Sequence, residues 1–195
     1  MTSIEVDNKY KKHELRSHIY SRPAMYIGPI EPNIIDTYII DNSNKIIKKQ
    51  ISYIPGLFKI FDEALVNAID HSTRTREDLA AGKPDIIIVK NIKVHINKAT
   101  GFIDIYNDGN GIEIIKHGEY DIWIPEMIFG ELLTSSNYND DEIRTVGGMN
   151  GLGIKLANIF SKEFIIETID HNRKKIYKQT FKENSLNFVV DKIIT

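Results

Sequence analysis

The chain has 195 residues, of which 42% are hydrophobic and 9% aromatic, a composition typical of one globular domain with a substantial core. Its formal net charge of -2 predicts no overall attraction to nucleic acid, and the absence of cysteine excludes disulfides, thiolate metal sites and cysteine nucleophiles. No targeting signal or apolar window of the roughly 20 residues needed for a membrane span is present, so we expect an intracellular, non-secreted protein without a membrane partner.

The first fifty residues predict an arm, a short helix and a hairpin. Residues 1–12 are polar, and residues 13–20 predict a short helix that ends at Ser21-Arg22-Pro23. Residues 34–54 alternate Tyr and Ile with polar residues around the turn signal Asp41-Asn42-Ser43-Asn44, which predicts a hairpin or two irregular strands. We interpret residues 1–20 as an N-terminal arm with its helix and residues 21–195 as the main domain.

A long amphipathic helix with an unusual polar stripe is predicted next. After the Pro55-Gly56 breaker, four apolar residues at helical spacing predict a packed face: Leu57, Phe61, Leu65 and Ala68. Glu63, Asn67 and Asp70 share the opposite stripe, and apolar residues border it. A carboxylate and a carboxamide facing a pocket suit a magnesium nucleotide site. An ordinary amphipathic helix with a solvated polar side is the alternative.

The chain then predicts a loop over residues 74–84 and a hairpin of two strands, 85–97 and 102–107. The second strand runs into Asn107-Asp108-Gly109-Asn110-Gly111, where two glycines permit a tight turn and a close approach of the backbone to a ligand. A plain hairpin turn would have the same residues. A Rossmann motif is excluded because the third glycine is missing.

The second half predicts two helices followed by three strands. The helices are residues 125–133 and 151–160, separated by a polar loop, and the strands are residues 164–169, 175–181 and 186–190. Trp123, Met127, Ile128 and Phe129 are interpreted as core, and the six histidines show no metal-ligand pairing. The basic cluster Arg173-Lys174-Lys175 with Lys178 is interpreted as a solvated hairpin tip, with DNA contact as the alternative. Segregated helices and antiparallel strands predict a two-layer α+β sandwich.

A glycine-rich segment precedes the second of these helices. Gly147-Gly148-Met149-Asn150-Gly151-Leu152-Gly153-Ile154-Lys155 has four glycines in seven residues and a lysine in the first helical turn. Backbone N–H groups in such a bend can surround phosphates, and a lysine adds positive charge. It is not a Walker A loop, because no lysine directly follows the last glycine. A flexible structural loop remains the alternative.

Five blocks of the chain resemble the N-terminal ATPase domain of eukaryotic-type (type IIA) DNA topoisomerase II. That domain is one member of the ATP-binding superfamily that includes DNA gyrase, heat-shock chaperones, sensor histidine kinases and mismatch-repair ATPases. The blocks are Arg22 to Gly28, Pro55 to Glu63, Pro125 to Gly130, Leu132 to Tyr138 and the glycine-rich segment. The resemblance spans Tyr10 to about Phe181. It implies a Bergerat-type fold, with a mixed, mainly antiparallel sheet and helices on one face.

The resemblance also implies roles for individual residues in binding and hydrolysing Mg-ATP. Glu63 would activate the attacking water, and the Asn67 side-chain oxygen would ligate Mg²⁺, while Asp70 would complete the same stripe. Asn107 would contact the adenine, and Lys155 would bind the phosphates. The other implied nucleotide contacts are Ser135, Ser136, Asn137, Gly148, Met149, Asn150, Gly151, Leu152, Gly153, Ile154 and, on the partner subunit's nucleotide, Tyr10.

Two departures from the family pattern affect what the chain is expected to do. Met149 stands where close relatives generally have arginine, and the chain stops before the domain that supplies a further glutamine and lysine to the γ-phosphate. We expect an ATPase module that closes a homodimer and couples ATP turnover to DNA strand passage in the full-length enzyme, in a nuclear, viral or cytoplasmic setting. An ATP-binding regulatory or dimerisation module with little hydrolysis is the alternative. A histidine kinase-like module is disfavoured because it would not share the topoisomerase-specific blocks.

Overall fold

The computed structural model describes residues 14–134, 151–184 and 187–194. Its helices are α1 (Leu15–Ser21), α2 (Pro23–Tyr26), α3 (Pro55–Ala80), α4 (Ile124–Gly130) and α5 (Gly153–Ile159). The strands are β1 (Asn33–Ile40), β2 (Ile46–Tyr53), β3 (Ile92–Asn97), β4 (Phe102–Asn107), β5 (Glu163–Asp170), β6 (Lys175–Lys182) and β7 (Asn187–Ile194). The chain divides into two compact units, Met1–Leu57 and Phe58–Thr195.

The first unit holds the two short helices and the β1–β2 hairpin. The His18 Nδ1 atom lies 2.9 Å from the Tyr26 hydroxyl, so α1 and α2 are connected by a side-chain hydrogen bond. Strands β1 and β2 pair antiparallel from Asn33↔Tyr53 to Ile40↔Ile46. The Asp41 carboxylate accepts hydrogen bonds from two turn N–H groups, those of Ser43 and Lys45, both at 2.9 Å. The predicted helix and hairpin are confirmed.

Helix α3 is longer than predicted, and the loop prediction for residues 74–84 is wrong over its first half. The charged residues that suggested a loop continue the helix to Ala80, because Arg, Glu and Leu favour helix. The charged side chains of Arg74, Arg76 and Glu77 lie on its exposed side. Gly82, with φ +73°, ends it. The N–H of Gly82 donates to Leu79 O and that of Lys83 to Asp78 O, both at 3.0 Å, as in a Schellman motif.

The buried side of α3 is shifted toward its C-terminal half. Phe61 and Leu65 are half-buried and Ala68 is buried, but Leu57 in the first turn is 53% exposed, so its assignment to the packed face is wrong. The buried stripe continues instead through Ser72 and Thr75. The Thr75 hydroxyl donates to Ser72 O and accepts from Val89 N, and these bonds compensate for the burial of a polar group.

Strands β3 and β4 form the predicted hairpin, pairing Ile92↔Asn107 to Asn97↔Phe102. The predicted start of the first strand at residue 85 is wrong, because the N–H groups of Ile87, Lys90 and Asn91 donate to side chains rather than to a neighbouring strand. The Asp108 carboxylate accepts from the N–H groups of Lys90 at 2.7 Å and Asn91 at 2.8 Å, and the Asn110 side-chain oxygen accepts from Ile87 N.

The core of the second unit lies where the β5-β6-β7 antiparallel sheet meets α4. Four buried residues form its centre, and three partly buried aromatics pack on them: Ile114, Ile166, Tyr177 and Phe181, with Trp123, Phe129 and Phe164. Trp123 and Phe129 are confirmed as core residues. Ile128 is 39% exposed, so its assignment to the core is wrong: consecutive helical positions cannot all face one side.

Helix α4 ends three residues before the predicted Leu133. Glu131 is extended and Leu133 has φ +59°, which no helix accommodates. Helix α5 and the three last strands are confirmed within a few residues. Helices combined with antiparallel strands confirm the α+β class. Within the described residues, no helix combines the length and the apolar character required to cross a membrane.

Candidate functional site

The Glu63 carboxylate of α3 lies against Gly153, the last glycine of the glycine-rich segment. The side chain is 23% exposed, and its Oε1 atom lies 2.5 Å from the ammonium of Lys59, one helical turn earlier. Its Oε2 atom occupies the space that a Cβ on residue 153 would need. The structure therefore brings together the predicted acid and the predicted phosphate segment, and glycine is the residue that permits this approach.

Asn67 and Asp70 follow Glu63 along the same side of α3. Asn67 is exposed, and its amide nitrogen donates to the main-chain oxygen of Glu63 at 2.5 Å. The amide oxygen accepts no hydrogen bond from the residues that the structure describes, so it is available to a cation or water. Asp70, almost one turn further on, is half-buried. The helical spacing of four and three residues places these oxygens in one line.

Asn107 ends β4 and is half-buried, with its amide nitrogen donating to Asp108 O at 3.0 Å. Asp108 is committed to protein contacts: the backbone and side-chain N–H groups of Asn91 lower the pKa of its carboxyl group. Gly109 and Gly111 approach the protein's own chain, at Val89 and Ile169 respectively. The glycines of this motif thus serve packing against the protein's own chain.

Lys155 lies in α5, two residues after Gly153, and is only 2% exposed. Its ammonium donates to the main-chain oxygen of Thr134 at 2.5 Å and to the Thr134 hydroxyl at 2.7 Å. Burial lowers the pKa of Lys155 to about 8, against the opposing effect of the Glu131 carboxylate. Its neighbours in the sequence are half-buried: Gly151, Leu152 and Ile154.

The remaining predicted site residues lie outside the described part of the chain: Tyr10, Ser135, Ser136, Asn137, Gly148, Met149 and Asn150. In the described part, no group of three or more His, Asp or Glu side chains is arranged to hold a metal ion.

Two residues next to the predicted site were missed by sequence reasoning. The Lys59–Glu63 pair had a sequence signal, because a lysine and a glutamate four residues apart on a helix are neighbours. The Thr134–Lys155 contact had none, since 21 residues separate the two. The hairpin-tip interpretation of the basic cluster agrees with the structure, where Arg173 pairs with Asp170 at 3.0 Å.

No family model matches the chain. DNA topoisomerase 2 of Acanthamoeba polyphaga mimivirus is 46% identical over 184 residues, which cover 92% of this chain and 14% of that protein. DNA topoisomerase 2 of Plasmodium falciparum is 45% identical over 184 residues, covering 94% of this chain and 13% of that protein. The chain therefore spans about one seventh of the length of these relatives.

Solved structures show the same likeness. The ATPase region of Saccharomyces cerevisiae topoisomerase II matches with a TM-score of 0.86 and 44% identity, covering 96% of this chain and 47% of that one. The ATPase and transducer domains of DNA topoisomerase II from Balamuthia mandrillaris match with a TM-score of 0.84 and 36% identity, covering 100% of this chain and 46% of that one. Over nearly its whole length, the chain is a homologue of DNA topoisomerase 2 and has the fold of the ATPase region of topoisomerase II.

Proposed function

We propose that this chain is the Mg²⁺-dependent ATP-binding and ATP-hydrolysing domain of a type II DNA topoisomerase. The observation that carries the proposal is the contact between Glu63 and Gly153, in a chain 44% identical to the ATPase region of yeast topoisomerase II. This contact places a carboxylate beside the end of a glycine-rich segment. An attacking water and a terminal phosphate need these two groups side by side.

In this proposal, Glu63 is the general base. It is three-quarters buried, and it is held from one side by the Lys59 ammonium at 2.5 Å. Its Oε2 atom, on the side of Gly153, would accept the proton of the attacking water. Lys59 keeps a positive charge beside the carboxylate, since its pKa is raised, first by the hydrogen bond to Glu63.

Asn67 is the proposed protein ligand of Mg²⁺. Its amide oxygen is a hard, neutral donor, and the described residues offer no cluster of acidic or imidazole side chains that would replace it. This donor set fits Mg²⁺, which usually keeps water and substrate phosphates as most of its ligands. When bound, the ion would neutralise negative charge on the phosphates.

The other site residues are proposed from the family resemblance. Asn107 would contact the adenine, while Ser135, Ser136 and Asn137 would contact ribose and base. The backbone of residues 148–154 and the Lys155 ammonium would bind the phosphates, and Tyr10 would reach the partner subunit's nucleotide. Asp70, on the same stripe of α3, would be a further nucleotide-binding residue.

At the level of the whole protein, we propose that nucleotide binding favours closure of a homodimer, which couples hydrolysis to DNA strand passage. The chain would provide an arm over residues 1–20 and an ATP-binding domain over residues 21–195, in a two-layer sandwich of a mixed, mainly antiparallel sheet with helices on one face. Such an enzyme would act on nuclear, viral or cytoplasmic DNA. Met149, in place of a charged residue, supports the second candidate, a module that binds ATP but hydrolyses little of it.

Glu63→Gln separates the two candidates. We expect the variant to bind Mg-ATP as the parent does and to lose roughly 10²–10⁴-fold in turnover, the usual contribution of a general base. Glu77→Gln, the same change at an exposed position of α3, is the matched control and should keep parent turnover. Nucleotide binding is measured by calorimetry and turnover by phosphate release.

A parent chain that binds Mg-ATP and turns over no faster than Glu63→Gln would support the binding module instead. Absence of binding by the parent, with the fold intact by circular dichroism, would contradict both candidates.

A further inference from the structure

Lys155 is a buried ammonium, and its hydrogen bonds within the described part of the chain both go to one residue, Thr134. It is 2% exposed, and its Nζ atom lies 2.5 Å from Thr134 O and 2.7 Å from Thr134 Oγ1. An ammonium has three N–H donors, and each needs an acceptor when water is excluded. Among the described residues, Thr134 therefore provides the hydrogen bonds that hold this charge in the interior.

The Thr134 hydroxyl is itself held in place by the end of α4. Its Oγ1 atom lies 2.9 Å from the main-chain oxygen of Met127 and 2.9 Å from that of Glu131. The single hydroxyl hydrogen is donated to one of these carbonyls, which leaves oxygen lone pairs for the ammonium. Asn158, one turn after Lys155, donates to Phe129 O at 3.0 Å and joins α5 to the same helix.

From this geometry we propose that Thr134 is the positioning residue of Lys155, holding its ammonium at the end of α4 until a polyphosphate takes the place of these oxygens. The inference rests on the proposed function in one respect, that Lys155 binds phosphate. Thr134 needs no contact with the nucleotide to act in this way. Because Thr134 stabilises the charged form of Lys155, it also sets the pH range in which the nucleotide-free protein has a positive charge at residue 155.

Within the described part of the chain, few charged groups surround Lys155. The Glu131 carboxylate, after α4, acts on its ammonium, and Glu63 of α3 lies at Gly153. Glu126 within α4 has a raised pKa, first because of burial and then because of the neighbouring Glu131 carboxylate. Strand β5 also packs on α5, and it carries Glu163, Glu167 and Asp170, of which the last two pair with Lys178 and Arg173.

The test is a titration of the 195-residue chain by NMR of ¹³C-labelled lysine, which needs no nucleotide. The Lys155 signal, assigned by its loss in Lys155→Met, should titrate near pH 8 in the parent. Thr134→Val removes the hydroxyl and keeps the shape, and its midpoint should be lower by roughly 1–2 pH units, the size expected for one lost hydrogen bond to the charged form. Thr134→Ser restores the hydroxyl and should return the parent midpoint.

A second readout is the affinity for a non-hydrolysable ATP analogue as a function of pH. The parent's affinity should weaken above about pH 8, and Thr134→Val should weaken at correspondingly lower pH, while affinity for adenosine is unchanged. Unchanged signals of the other lysines show that Thr134→Val is folded. If it is not, Thr134→Ala and the serine variant give the same comparison.

Equal Lys155 midpoints in Thr134→Val and the parent would overturn the inference, and so would a uniform loss of stability without a shift. Failure of the proposed function is recognised separately. In that case Lys155→Met would leave analogue binding unchanged, while the NMR midpoints would still report on Thr134.

Discussion

The Oε2 atom of Glu63 fills the space beside the α-carbon of Gly153. Two residues from distant parts of the chain, one in the long helix α3 and one at the start of the short helix α5, are thereby in direct contact. The same carboxylate is fixed at Oε1 by Lys59. Glu63 is thus held between a cation and a backbone, and the glycine is part of what determines where its oxygen atoms lie.

Gly153→Ala should displace the Glu63 carboxylate and leave the fold intact. The added methyl group would overlap the far end of a flexible side chain, which moves at little cost in stability. A displacement of about 1 Å at a reacting group lowers turnover by as much as roughly 10²-fold, so we expect a drop of about 10- to 100-fold with nearly unchanged ATP affinity. Phosphate release and calorimetry measure the two quantities.

Gly118→Ala is the control for this substitution, because nothing lies within 4 Å of the added carbon. It should behave as the parent. Parent turnover in Gly153→Ala would show that the Glu63 position is unimportant for hydrolysis, against the assignment of this residue as the base.

Asn67→Ala should raise the Mg²⁺ concentration needed for nucleotide binding. It removes the one amide oxygen proposed as a metal ligand, and a loss of at least roughly 10-fold in Mg²⁺ affinity is expected, since even indirect partners of a metal contribute this much. Titration of Mg²⁺ at fixed ATP analogue measures the effect. Thr73→Ala, which removes a hydroxyl bonded within the same helix, should leave the titration unchanged. Equal Mg²⁺ dependence in Asn67→Ala and the parent would remove Asn67 from the metal site.

His71 should make the chain less stable in mild acid. Its Nε2 atom lies 2.6 Å from Asn110 O, and burial lowers its pKa, although this hydrogen bond acts in the opposite direction. A histidine whose folded-state pKa lies below the unfolded value of about 6.5 takes up its proton more readily when unfolded. Its contribution to the free energy of unfolding is therefore complete above about pH 6.5 and is lost as the pH falls toward the folded-state pKa.

Urea unfolding at pH 7.5, 6.5 and 5.5 tests this expectation. His71→Gln should show a smaller loss of stability between pH 6.5 and 5.5 than the parent, because the titrating group is gone. His95→Gln, at an exposed position of β3, should keep the parent's slope. Identical slopes in all three proteins would exclude His71 as a source of the acid sensitivity.

Local sequence signals predicted most elements of this fold and the line of polar residues on α3. Hairpins such as β1–β2 were recognisable because a turn signal at Asp41 separates two alternating runs. The errors arose where tertiary contacts determine the local secondary structure. Residues 85–91 look like a strand, but their N–H groups bond to Asp108 and Asn110, which no periodicity reveals.

The candidate site was predictable in its residues but not in its contacts. Glu63 and Asn67 were identified from helical spacing, and the glycine-rich segment from its composition. The contact between Glu63 and Gly153 depends on packing between segments 90 residues apart. The hydrogen bond from Lys155 to Thr134 depends on packing between segments 21 residues apart. Such pairings are set by the whole fold, and a single sequence carries no local trace of them.

Gly130→Ala should destabilise the core between α4 and β6. A Cβ atom at residue 130 would lie 2.8 Å from Cε1 and 3.1 Å from Cζ of Phe181. The Phe181 ring is 2% exposed and packs on Phe164 with 6.1 Å between ring centroids, so it has little room to move. Overpacking of this kind costs ~1–3 kcal/mol, partly offset by the better helix propensity of alanine.

The net loss in the free energy of unfolding should be ~1–2 kcal/mol, seen as a lower urea midpoint with an unchanged slope. Gly118→Ala, with open space around it, should stay within about 0.5 kcal/mol of the parent. Phe181→Leu makes room at this contact, so adding Gly130→Ala to it should cost less than adding Gly130→Ala to the parent. Additive losses in the double variant would mean that the alanine acts somewhere other than on the Phe181 ring.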